Sequence, residues 1–142
     1  MIVSRTLTIG WIGIGKMGLP MAVRAMQAGF GITGFDASPA RLALAKEQGL
    51  TTATSAAAAV RDKDAVVVSL PDDKVLRDAM FGSGGVVAQM AGGSVLIETS
   101  TVSAEISAEL AALTGSRDIS YLRSPVSGNA NTKRAFAMAC VA

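Results

Sequence analysis

Thr6-Leu7-Thr8-Ile9-Gly10-Trp11-Ile12-Gly13-Ile14-Gly15-Lys16-Met17-Gly18-Leu19-Pro20-Met21-Ala22 is the stretch on which the fold turns. Thr6–Ile12 is apolar and β-branched, the mark of a buried strand, and Met17–Ala28 carries apolar residues at helical spacing. Glycines at 13, 15 and 18 join the two. In such a turn the first glycine permits the bend, the second lets backbone come close to a ligand, and the third lets helix and strand pack closely. The helix then presents free N–H groups and a partial positive charge, which suit a phosphate. A bare glycine turn has an ordinary structural explanation. The strand before it and the helix after it direct this one to the pyrophosphate of a dinucleotide.

Working outward, Gly31–Phe35 reads as a second strand ending at Asp36. Ser38 then caps a helix with Pro39 at its first position, running to about Gln48. Leu50–Ala53 is a short edge strand, Ser55–Arg61 a short Ala-rich helix, and Ala65–Leu70 an unbroken apolar run of the central-strand type. Asp72 caps a helix through Phe81, and a glycine-rich turn at Gly82–Gly85 precedes a further short helix. Ser94–Glu98 is the next strand, a helix runs from near Ser103 to about Thr114, and Ile119–Arg123 is the sixth strand. Strands alternating with helices specify an α/β fold, a Rossmann-type doubly wound and mostly parallel sheet, in one domain over 1–142. Only a dozen residues separate Arg123 from Phe136, too few for a helical crossover, so Phe136–Val141 is expected as an antiparallel last strand.

Composition fits that architecture and excludes several functions. Half of the 142 residues are apolar but only 4% are aromatic, and the mean hydropathy is +0.43, which suits a parallel sheet covered on both faces. The excess apolarity leaves open both an Ala-rich core and a surface meant for a partner subunit or second domain. With 13 basic and 11 acidic residues and a net charge of +2, there is no basic stripe for nucleic acid. The single cysteine, Cys140, cannot close an internal disulfide, and no Cys or His cluster offers a metal site; a reducing cytoplasm is the default. The absence of histidine removes the commonest general base together with the Ser-His-Asp and Cys-His arrangements. Glycines interrupt the apolar N-terminal stretch and Lys16 follows it, so it reads as a buried strand rather than a signal peptide, and no segment approaches membrane-spanning length.

Asp36 follows Gly18 by 18 residues, at the end of the second strand, where a carboxylate accepts hydrogen bonds from the adenosine ribose and repels a 2′-phosphate. Ala37 comes next, where an NADP enzyme often has arginine. Arg41 lies a helical turn further, within reach of a phosphate but more simply a solvated helix residue. NAD is therefore favoured over NADP as cofactor.

Beyond the general fingerprint, Gly13-Ile14-Gly15-Lys16-Met17-Gly18-Leu19-Pro20-Met21-Ala22 resembles the opening of the 3-hydroxyisobutyrate (β-hydroxyacid) dehydrogenases, whose cofactor domain is similar to that of 6-phosphogluconate dehydrogenase. Leu70-Pro71 looks like that family's strand-end pair lining the cofactor, with Val75 following on the same path. Ser100-Thr101-Val102-Ser103 resembles its segment beside the nicotinamide, and Pro125-Val126-Ser127-Gly128 is similar to its substrate-binding Pro-Val-Ser-Gly-Gly. The resemblance implies hydride transfer between NAD and a short β-hydroxyacid, with Ser127 and the Gly128 backbone holding the substrate carboxylate. It also implies a catalytic lysine in a C-terminal all-helical domain beyond Ala142, so that no catalytic residue lies in this chain, and a homo-oligomeric full-length form.

Two departures touch the substrate. Asn129 replaces a second glycine, opening a different substrate shape or an extra amide hydrogen bond. Arg123 and Ser124 replace a more usual Asp-Ala, and Arg123 could meet an anionic substrate or a surface carboxylate. Lys133 reads as a turn residue, and Cys140 as a small core side chain. Tyr121 reads as a sheet residue, since Pro125 stands where a Tyr-x-x-x-Lys dehydrogenase needs lysine. The alternative of another class is a stand-alone NAD-sensing regulatory module without catalysis. A glycine-rich methyltransferase is disfavoured by Trp11-Ile12, where an acidic residue would be expected.

Overall fold

The computed structural model describes residues 5–127, 136–137 and 140–141. The first half comprises β1 (Thr8–Ile12), α1 (Gly18–Gln27), β2 (Gly31–Phe35), α2 (Pro39–Glu47) and β3 (Thr51–Thr52). The second comprises α3 (Ala56–Val60), β4 (Ala65–Val68), α4 (Asp73–Met80), α5 (Val86–Gln89), β5 (Val95–Glu98), α6 (Ala104–Gly115) and β6 (Ser120–Arg123). Three short strands follow: β7 (Val126–Ser127), β8 (Phe136–Ala137) and β9 (Cys140–Val141).

The main sheet runs in the order β3-β2-β1-β4-β5-β6-β9, and β1 to β6 pair in parallel. The chain moves outward from β1 to β3 and returns to β4 on the other side of β1. This is the Rossmann-type order, with the direction of winding reversing between β1 and β4, where ligands bind beyond the carboxyl ends of the strands.

Burial on both faces explains the continuous apolar run of β4. Val66 and Val68 pack on one face with Leu76, Met80, Leu96, Ile106 and Leu110. Val67 points the other way, towards Trp11, Ile14, Leu19 and Ile32. A strand alternates its side chains, so only a sheet with two cores makes every residue of a strand apolar.

The helix caps follow the sequence closely. Ser38, Asp72 and Ser103 accept hydrogen bonds from the backbone N–H groups of Arg41 (3.4 Å), Val75 (2.9 Å) and Ile106 (3.3 Å), contacts worth about 1 kcal/mol each. Among the described helices of eight or more residues, α1 is the exception. Its N-cap Met17 makes no side-chain bond and its first turn has no acidic residue.

Phe136–Val141, expected as an antiparallel last strand, is described at its two ends. Phe136–Ala137 pairs with Val126–Ser127 in a separate two-stranded ladder, while Cys140–Val141 lies antiparallel to Leu122–Arg123. The register is the same in both ladders.

Candidate cofactor-binding site

The site begins where β1 ends. Gly13 takes φ +92° and donates its N–H to the Phe35 carbonyl at 3.0 Å. A Cβ on Gly13 would strike the Ser69 carbonyl, and one on Gly18 would strike the carbonyl of Gly13 itself. These two glycines are required by packing. Gly15 is different: a Cβ there would meet nothing within 4 Å, so the protein itself places no demand on that position. The open space beside it is the cleft.

That cleft has a volume of about 790 Å³, within the range of about 300–1,000 Å³ typical of cofactor pockets. Gly13, Gly15, Lys16, Met17 and Gly18 line it at the turn, with Met21 behind them. Leu70, Pro71 and Val75 line it after β4, and Thr101 after β5. Ile14 is wholly buried beneath and contributes its backbone N–H, which Asp36 Oδ2 accepts at 3.0 Å. Asp36 Oδ1 accepts from Ser38 N–H at 2.9 Å. The carboxylate thus joins the glycine turn to the start of α2 while facing the cleft, and each oxygen keeps a further lone pair for a ligand hydroxyl. The N-terminus of α1, without a side-chain cap, opens on the same space through Met17 and Gly18. An open backbone approach, an uncapped helix start and a ribose-competent carboxylate fit a dinucleotide.

Arg41 lines the cleft rather than standing only in solvent. Asp78 and Ala79 also line it; they follow Val75 by three and four residues on one face of α4, and that spacing was the signal by which Val75 could have led to them. Among the described residues no group of three or more His, Cys, Asp or Glu could hold a metal, and no helix is long and apolar enough to cross a membrane.

Of the residues expected to meet substrate, Arg123 ends β6. Ser127 is in β7, and its neighbour Val126 lines the cleft; Gly128, Asn129 and Lys133 lie outside the described residues, as do the side chains of Ser127 and Cys140. Arg123 is not among the cleft-lining residues. Its Nη2 donates to the Val102 carbonyl at 3.0 Å, and its in-register neighbour on β5 is Glu98, a buried carboxyl rather than a surface one. Tyr121, on β6, donates its hydroxyl to Glu98 Oε2 at 3.4 Å. Burial pushes the Glu98 carboxyl above the usual carboxylate range, against the pull of hydrogen bonds from Ser100 and Tyr121 and of the Arg123 charge. Burial likewise raises the Tyr121 phenol. Glu98 carries no sequence pattern that marks it, because its importance comes from the strand laid beside it.

Residues 8–142 match a protein family described as the NAD binding domain of 6-phosphogluconate dehydrogenase. The chain is 30% identical over 125 residues to a 2-(hydroxymethyl)glutarate dehydrogenase of Eubacterium barkeri, covering 88% of this chain and 42% of that one. It is 32% identical over 127 residues to a 3-hydroxyisobutyrate dehydrogenase of Pseudomonas aeruginosa, covering 89% and 43%. The solved structure of Mycobacterium tuberculosis 3-hydroxyisobutyrate dehydrogenase with L-serine superposes with a TM-score of 0.82 at 32% identity, over 89% of this chain and 42% of that one. The chain therefore spans about two fifths of the length of these relatives.

Proposed function

This chain belongs to the family of NAD-binding domains represented by that of 6-phosphogluconate dehydrogenase, and from that premise we propose that it is the cofactor-holding part of an oxidoreductase acting on a short 3-hydroxyacid. The observation that carries the reading is the open side of Gly15 beside the uncapped start of α1. That conjunction serves a pyrophosphate and has no use in packing.

When bound, NAD accepts or returns a hydride. The chain's own residues then have separate tasks. The N–H groups at Gly15 to Gly18 hold pyrophosphate oxygens, Asp36 accepts from the adenosine ribose, and Pro71, Val75 and Ala79 give the base an apolar seat. Thr101 bounds the nicotinamide end. Ser127, Gly128 and Asn129 are assigned to the substrate carboxylate. Arg123, already engaged with Val102, is left to support them.

The names of the relatives narrow the substrate class. 2-(Hydroxymethyl)glutarate, 3-hydroxyisobutyrate and L-serine all carry a hydroxymethyl group on the carbon next to a carboxylate. A site that grips the carboxylate and aims the carbinol hydrogen at the nicotinamide treats all three alike. The hydroxyl proton needs a base within hydrogen-bond reach. Lys16 sits at the phosphate end of the cleft; the base is assigned, as the resemblance to the β-hydroxyacid dehydrogenases implies, to a lysine of that family's helical domain. A homo-oligomer working in a reducing cytoplasm completes the proposal.

Calorimetric titration of the chain with NAD and NADP tests the cofactor assignment. NAD is expected to bind more tightly, because Asp36 competes with a 2′-phosphate, and Asp36→Ala should narrow the gap. Tighter binding of NADP would overturn the preference, and binding of neither would overturn the site.

A further inference from the structure

The segment Thr99–Ser103, between β5 and α6, carries Thr101 to the cleft, and side chains hold most of it in place. Thr99 Oγ1 donates to the Val68 carbonyl at 2.7 Å, Ser100 Oγ accepts from Leu70 N–H at 2.8 Å, and Asp73 Oδ1 accepts from Ser103 N–H at 2.9 Å. All three reach towards β4 and α4. Among the described residues the hold from the opposite side is Arg123, whose Nη2 meets the Val102 carbonyl at 3.0 Å. Thr101 lies between these two sets of anchors and is itself exposed.

Arg123 has a buried counterpart. Glu98 stands directly beside it on β5 and is 0% exposed. Glu98 Oε1 and Arg123 Nε are both buried without a hydrogen-bond partner. A half-buried guanidinium whose Nε is shut off from water needs a nearby negative charge, and its remaining donors need acceptors. Glu98 supplies the charge, Tyr121 holds the other Glu98 oxygen, and Arg123 is left to spend its hydrogen bond on the loop. We infer that Arg123, balanced by buried Glu98, is a positioning residue that sets the Val102 carbonyl and thereby the Thr101 side of the cleft against which the nicotinamide half of the dinucleotide rests. The strand order supports the direction. With Asp36 just beyond β2 taking the adenosine ribose and Gly15 the pyrophosphate, the remaining half of the ligand extends across β4 to the end of β5. The inference rests on the cofactor reading of the cleft.

The test compares NADH with ADP-ribose, which keeps the adenosine and pyrophosphate but lacks nicotinamide. Affinities of both for the chain would be measured by calorimetry, together with the emission of bound NADH and the melting temperature. Arg123→Leu is expected to weaken NADH by about tenfold, the scale of one charge-assisted hydrogen bond, while ADP-ribose stays within about twofold. Arg123→Lys, which keeps a cationic donor, should recover part of the loss. Glu98→Gln provides a second route if Arg123→Leu does not fold: it should shift the NADH to ADP-ribose ratio in the same direction without lowering the melting temperature. Equal weakening of both ligands, or an unchanged ratio in both Arg123→Leu and Glu98→Gln, would overturn the inference. Failure of the unaltered chain to bind ADP-ribose would instead overturn the cofactor reading itself.

Discussion

Two turns face each other across the cleft, and they are built on opposite principles. The Gly13–Gly18 turn after β1 is held by the absence of side chains: two of its glycines sit where any Cβ would run into a backbone carbonyl. The Thr99–Ser103 turn after β5 is held by their presence, through Thr99, Ser100, Asp73 and Arg123. The first fails by collision and the second by loosening. A close backbone approach leaves no room for adjustment, whereas a hydrogen-bonded loop degrades one contact at a time.

The comparison breaks most visibly at Gly18. Gly18→Ala should cost about 3 kcal/mol or more, because backbone must move to admit the methyl group, and circular dichroism should show a large fall in melting temperature. A melting curve close to that of the unaltered chain would mean that the two elements are free to separate.

Gly15 sharpens the same contrast within a single turn. Gly15→Val should keep the fold, since the side chain enters open space, yet lose on the order of 100-fold or more in NAD affinity by blocking hydrogen bonds from backbone to phosphate. Retained affinity would place the phosphate elsewhere.

On the opposite side, Ser100→Ala leaves Leu70 N–H without its acceptor and should lower stability by about 1–3 kcal/mol, read from the midpoint of urea denaturation. A loss as large as that for Gly18→Ala would erase the distinction between the two turns.

The smallest expected effect is a dependence on pH. Glu98 titrates near 4.5 when unfolded and above that value in the fold. Between the two values only the folded chain keeps the proton, so stability falls as pH rises through the folded value, and the deficit is complete above it. Glu98→Gln should therefore melt higher than the unaltered chain near pH 7, with the advantage shrinking as pH falls towards about 4. An advantage that grew on acidification would show instead that the folded carboxyl titrates below its unfolded value, against the direction that burial gives.

The two turns also differ in how far they could be read from the residue order. Gly13, Gly15 and Gly18 act on neighbours in the chain, so their spacing between a strand and a helix was enough. The same holds for Ser38, Asp72 and Ser103, whose caps reach three residues ahead. Glu98 and Arg123 meet only because β5 and β6 lie side by side in register, and nothing local in either strand announces the pair. Asp78 and Ala79 needed one further step, from Val75 along the helix face.

Asp36 brings a consequence for redesign and for evolutionary drift. Its two oxygens tie Ile14 in the glycine turn to Ser38 at the head of α2, so the residue proposed to select the cofactor is also a strut of the loop proposed to hold its phosphates. A lineage seeking to accept a 2′-phosphate by discarding Asp36 would loosen its grip on the pyrophosphate in the same step. Arg41 already faces the cleft and Ala37 bears no such duty, so the accessible mutational path adds cations at those positions first and replaces Asp36 last.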